Sequence, residues 1–164
     1  MICLCERNSS NFTGTTRRKW RGWVRGRSAR FGFRRTAFGK LPTNAGKDAR
    51  CLHASGRFEG AVYLCGYVLE CFLKFVICET RSKKTMDLSE AKQLGHNLVE
   101  LLDASNLGAA LVRNRDLHVA FTGINDRWAP EMRYSGKPTD RRSSEIFLQD
   151  TRDLRNWLQT QLRP

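Results

Sequence analysis

The sequence predicts an all-α fold, an antiparallel bundle of four or five helices, and three observations predict it. Phe58, Val62, Cys65, Leu69, Phe72 and Val76 recur at alternating spacings of four and three, the period of a helix that buries one face. Later stretches repeat that period. No stretch alternates with the period of two that a half-buried strand requires, and no internal repeat is visible.

Taken in order, Ala45 to Ser55 reads as a short helix, stopped by Ser55-Gly56. In the next helix Ala61, Leu64, Val68 and Phe75 widen the apolar face over most of the circumference, which predicts the central, buried helix of the bundle. Asp87 with Glu90 offers a capping box, and Leu88, Ala91, Leu94, Leu98, Leu101 and Leu102 form a stripe that Gly95 can interrupt. From Leu107 to Trp128 the stripe is Leu107, Leu111, Leu117, Phe121, Ile124 and Trp128, closed by Pro130. Ser135 to Asp140 contains Gly136 and Pro138 and reads as a loop. Ser143 or Ser144 can cap a last helix with Ile146, Phe147, Leu154, Trp157, Leu158 and Leu162 on one face.

Charge divides the chain into two regions. The net charge is +13, yet residues 1–40 hold 11 Lys and Arg against the single acid Glu6, whereas residues 41–164 hold 18 against 15. A basic, disordered N-terminal arm over 1–40 and a helical bundle over 41–164 are the expected domains. Trp20, Trp23, Phe31, Phe33 and Phe38 interleave with the arm's arginines, a pattern that can stack on bases while the cations hold phosphates. The other reading of the arm is a plain unstructured tail, or upstream sequence translated from a misplaced start.

No continuous apolar run follows the first cations, so no secretory signal is expected. Glu70 and Lys74 interrupt the long apolar stretch from Ala61 to Cys78, which argues against a membrane span and for a cytoplasmic protein. The cysteines Cys3, Cys5, Cys51, Cys65, Cys71 and Cys78 include no pair with zinc-knuckle or redox spacing. They read as small hydrophobes, and no metal or cofactor is expected.

Three pieces of sequence carry a resemblance. Gly56-Arg57, then Ala61-Val62-Tyr63-Leu64-Cys65-Gly66-Tyr67, then Glu70 followed by Leu73-Lys74 resembles the central-helix signature of HEPN domains. Gly95-His96-Asn97-Leu98 is similar to their His-x-Leu step, and Trp128-Ala129-Pro130-Glu131-Met132-Arg133-Tyr134 to their Trp-to-Arg-Tyr end. The resemblance covers about three quarters of the chain and leaves out the arm. It implies a four-helix bundle, commonly a homodimer, found among nucleotide-associated proteins, nucleotidyltransferase partners and RNA-cleaving toxins of toxin-antitoxin systems.

Physics gives several of these residues a role of their own. An ionised Glu70 inside an apolar helix would cost several kcal/mol unless paired. Lys74, His96 and Arg133 are the partners on offer, and Tyr134 adjoins Arg133. The set reads either as a buried polar clasp between helices or as a ligand-binding pocket. Gly60 and Gly66 each cost a helix interior about 1 kcal/mol relative to alanine, which points to close approach by a neighbouring helix.

Arg113-Asn114-Arg115-Asp116-Leu117-His118 fits the Arg, polar residue, three intervening residues, His pattern of RNA-cleaving HEPN proteins. His118 could move the 2′-hydroxyl proton, Arg113 could stabilise the charge growing on the phosphate, and Asn114 could orient either. On one continuous helix a spacing of five sets Arg113 and His118 about 140° apart, so they would have to share a groove, as at a protomer interface. The tyrosine found two residues after the histidine in some toxin relatives is Ala120 here. The Trp128 to Tyr134 ending also resembles the branch in which the Arg-His motif is often missing. Two functions follow as expectations: a binding module for nucleotide, RNA or a nucleotidyltransferase partner, or a metal-independent endoribonuclease toxin using Arg113 and His118.

Overall fold

The computed structural model describes residues 32–81, 85–135 and 138–162. The arm expected over 1–40 lies outside the described residues up to residue 31. From Gly32 the chain is ordered into β1 (Gly32–Arg34) and α1 (Arg35–Ala54), so the first helix begins ten residues before its expected start and carries Pro42 within it. After α2 (Phe58–Thr80), a second three-residue strand, β2 (Thr85–Asp87), pairs antiparallel with β1, Phe33 opposite Met86. This small ladder escapes a period-two search because three residues are too few to alternate visibly.

The helical expectation holds, in more pieces than the apolar stripes suggested. One stripe divides into α3 (Leu88–Gln93) and α4 (Leu98–Ala104). Gly95 sits at a φ of +63°, open to glycine at little cost, and Asn97 caps α4 by accepting from the backbone N–H groups of Val99 and Glu100. The stripe from Leu107 to Trp128 likewise divides, into α5 (Gly108–Val112) and α6 (Arg115–Asn125). One turn, α7 (Met132–Ser135), follows Pro130, and α8 (Arg141–Thr160) closes the chain. Its cap is Asp140 rather than Ser143 or Ser144: the carboxylate accepts from Ser143 N–H at 2.9 Å and from its hydroxyl at 2.7 Å, which holds the Asp140 carboxyl below its ordinary pKa.

As its wide apolar face predicts, α2 is the centre of the bundle. It packs along α1 and α8 and touches α4, while α6 lies on α8. Leu69, Leu73, Val76 and Ile77 of α2 are fully buried, joined by Leu98 and Leu101 of α4, Ile124 of α6, and Phe147, Leu154 and Leu158 of α8. Ile146, expected on the inner face of α8, is instead 44% exposed. By length and composition α2 is long and apolar enough to cross a membrane, yet 72% of its most apolar window is buried inside the bundle.

The glycines of α2 explain themselves in contacts. A Cβ on Gly66 would fall 2.0 Å from the Trp128 indole nitrogen. That indole lies across the helix and donates from Nε1 to the Tyr63 carbonyl at 3.0 Å. Gly66 thus admits a side chain rather than a neighbouring backbone. Gly60 faces Leu52 of α1, where a Cβ would meet a methyl at 3.2 Å.

Candidate functional site

Glu70 is 4% exposed, and its environment is built from one helical turn and one loop. Lys74, four residues on, donates from Nζ to Glu70 Oε1 at 2.8 Å and to the Ala91 carbonyl of α3 at 3.3 Å. His96, brought over by the turn at Gly95, donates from Nδ1 to the same Oε1 at 3.0 Å and keeps its far edge in solvent. Glu70 Oε2 is buried and finds no hydrogen-bond partner. The clasp therefore ties α2 to the α3–α4 corner.

Arg133 does not join it. Its guanidinium donates to the Pro130 carbonyl at 3.1 Å and lies near the rings of Tyr63 and Tyr134. Tyr134 is 81% exposed and takes no part in the clasp. Beside Glu70, the Tyr67 phenol is hydrogen-bonded to the Tyr63 hydroxyl at 3.1 Å and stacks edge-on against Trp128. The Tyr63 contact first, then burial, push Tyr67 up to about 12. Burial, followed by the nearby Glu70 charge, pushes Cys71 up to about 11.

The second expected set separates. Arg113 is the C-terminal cap of α5, and His118 lies in the first turns of α6. Asn114 stands between them as the N-cap of α6, its side-chain oxygen accepting from Leu117 N–H at 3.2 Å. A carboxamide holding a helix N-terminus in this way has committed its acceptor. Both Arg113 and His118 are exposed, and neither lines the cleft between α1 and α8.

That cleft, about 520 Å³, opens between α1 and α8 above α2. Cys65 and Val68 of α2 and Leu148 of α8 give it an apolar floor, and burial pushes the Cys65 thiol up to about 12. Four cations line it, Lys47 and Arg50 from α1 and Arg152 and Arg155 from α8, against the single carboxylate Glu145. His53 closes one side, its Nδ1 3.0 Å from the buried Ser144 hydroxyl. Arg152 donates to Gln149. Arg155 lies over the Phe72 ring, 5.7 Å from its centroid, with its buried Nε lacking an acceptor.

None of the cleft's charged residues stood out in the sequence. The available signal was a pair of cations three apart on each of two helices, Lys47 with Arg50 and Arg152 with Arg155, which sets each pair on one face. Only the packing of α1 beside α8 joins the two pairs. No group of three metal-ligating side chains occurs among the described residues. Compared with known protein families, curated proteins and solved structures, the chain matches none.

Proposed function

We propose that this chain is a HEPN-like helical module that binds nucleotide or RNA, commonly as a homodimer or with a nucleotidyltransferase partner, and does not cleave RNA. The observation that carries this reading is the break at Asn114. A nuclease motif needs Arg113 and His118 to reach one phosphate with Asn114 free to orient them. Here a helix boundary falls between them, and Asn114 caps α6 instead.

The endoribonuclease reading keeps one supporting observation, the exposure of both Arg113 and His118, which a dimer could turn towards a shared groove. Expressing the chain with and without its gene neighbours, while following growth and total RNA integrity, separates the two. Intact RNA and unimpaired growth are expected. RNA breakdown abolished by His118→Ala would overturn the binding-module reading in favour of the toxin, since loss of a general acid or base commonly removes about 10² to 10⁴ in rate.

A further inference from the structure

We propose that the cleft between α1 and α8 is a binding site for the phosphate groups of a small organic phosphate of mononucleotide size. The inference rests on the binding-module reading and gives it a location and a ligand class. Lys47, Arg50, Arg152 and Arg155 surround one hollow, and none of them forms an ion pair among the described residues. Like charges gathered around one hollow repel one another, and an incoming anion reverses the sign of that interaction.

Arg155 adds a guanidinium at the cleft wall that packs against an aromatic ring. Its guanidinium is held over Phe72, and its Nε is shut away from solvent without a hydrogen-bond partner. A phosphate oxygen is the acceptor that a guanidinium fork fits best. Because the ring already fixes the side chain, little rotamer freedom is left to lose on binding.

Size and lining select a small ligand over a polymer. The volume, about 520 Å³, falls within the range of about 300 to 1,000 Å³ typical of small-molecule sites. Cys65, Val68 and Leu148 offer an apolar floor for a base or sugar, while the cations stand on the two flanking helices. Glu145, the lone carboxylate, is exposed and suits a sugar hydroxyl rather than a phosphate. Thr151 is not available to a ligand as donor, since its hydroxyl already donates to the Phe147 carbonyl at 2.8 Å.

The test is titration calorimetry on the full chain at about 0.15 M salt, where interactions between distant exposed charges are largely screened. The probes are ATP, AMP, adenosine, inorganic pyrophosphate and a short single-stranded RNA. ATP is expected to bind, pyrophosphate to compete with it, and adenosine to bind far more weakly. Lys47→Glu and Arg152→Glu, both exposed and on separate helices, should each weaken ATP by about tenfold or more, the loss of roughly one charge-assisted contact. Arg155→Met keeps an apolar chain over Phe72 and should do the same, whereas Arg113→Ala should leave the affinity unchanged.

Equal affinity for adenosine and ATP, or unchanged ATP binding in both charge reversals, would overturn the proposal. So would RNA binding with no detectable ATP binding, an outcome that leaves the RNA-binding module standing and removes only the cleft. If Arg155→Met fails to fold, the two surface reversals still decide.

Discussion

Glu70 and Arg155 each bury a polar atom that has no partner, yet their surroundings differ in kind. Around Glu70 the charges are of opposite sign and already in contact: a carboxylate oxygen takes Lys74 at 2.8 Å and His96 at 3.0 Å, and the set is closed between helices. Around Arg155 four cations face one carboxylate, Glu145, form no ion pair among the described residues, and open onto a hollow. The first arrangement spends its electrostatics on holding α2 to the α3–α4 corner. The second leaves its electrostatics for something that comes from outside. A buried charge marks a site only when its neighbours have not already neutralised it.

The sharpest way to break this contrast is Glu70→Ala. It leaves Lys74 buried at 5% exposure with only the Ala91 carbonyl, and removal of one partner from a buried pair costs about 3 to 5 kcal/mol. Urea denaturation should register that loss. A wild-type melting curve combined with lost ligand binding would move Glu70 into the receptive class with Arg155.

Gly66→Ala should come next. Its Cβ would collide with the Trp128 indole, and overpacking of this kind costs about 1 to 3 kcal/mol. Trp fluorescence should also change as the indole loses its bond to the Tyr63 carbonyl. A variant as stable as wild type with unaltered emission would show that α2 can move aside.

Asn114→Ala should cost about 1 kcal/mol, the worth of a helix N-cap. Arg113→Ala and His118→Ala, exposed on either side of it, should change stability by less than about 0.5 kcal/mol. The reverse order in thermal melts would mean that the Arg113 to His118 segment is a built structure rather than a capped turn.

The smallest effect at neutral pH comes from the buried thiol. Folding raises Cys65 from 9.0 to about 12, so above pH 9 the unfolded chain releases a proton that the folded chain retains. Its contribution is complete below pH 9 and is lost as pH rises towards 12. Denaturant midpoints should fall across that window and fall less in Cys65→Ala. A midpoint independent of pH between 9 and 11 would show the thiol to be solvated.

The central helix and the clasp were legible in the sequence because both depend on short spacings. Glu70 and Lys74 are one turn apart, and an acid and a base so placed inside an apolar stretch announce a pair. The His96 contact was within reach of the same reasoning, since a buried carboxylate calls for further donors. Arg133 was an equally reasonable partner on chemistry alone, but the turn at α7 carries it to the Pro130 carbonyl. The breaks at Gly95 and Asn114 were signalled by residue type, a glycine and an asparagine. An apolar stripe nevertheless continues across a break whenever both helices face the same core, so periodicity alone reads two helices as one.

By itself the sequence determined the all-α class, the burial of α2, the chemistry of the Glu70 pair and the excess of cations ahead of residue 41. These follow from local period, composition and the cost of burying charge, all of which act over a few residues. The tertiary structure alone decided that Gly66 receives Trp128 and that Lys47 and Arg50 meet Arg152 and Arg155 around one hollow. Gly66 and Trp128 stand 62 positions apart in the chain and the two cation pairs 105 apart, and no local rule ties their faces together. The packing of α1 and α8 against α2 does so, because each helix turns its apolar stripe inward and its flanking cations are carried to the same edge.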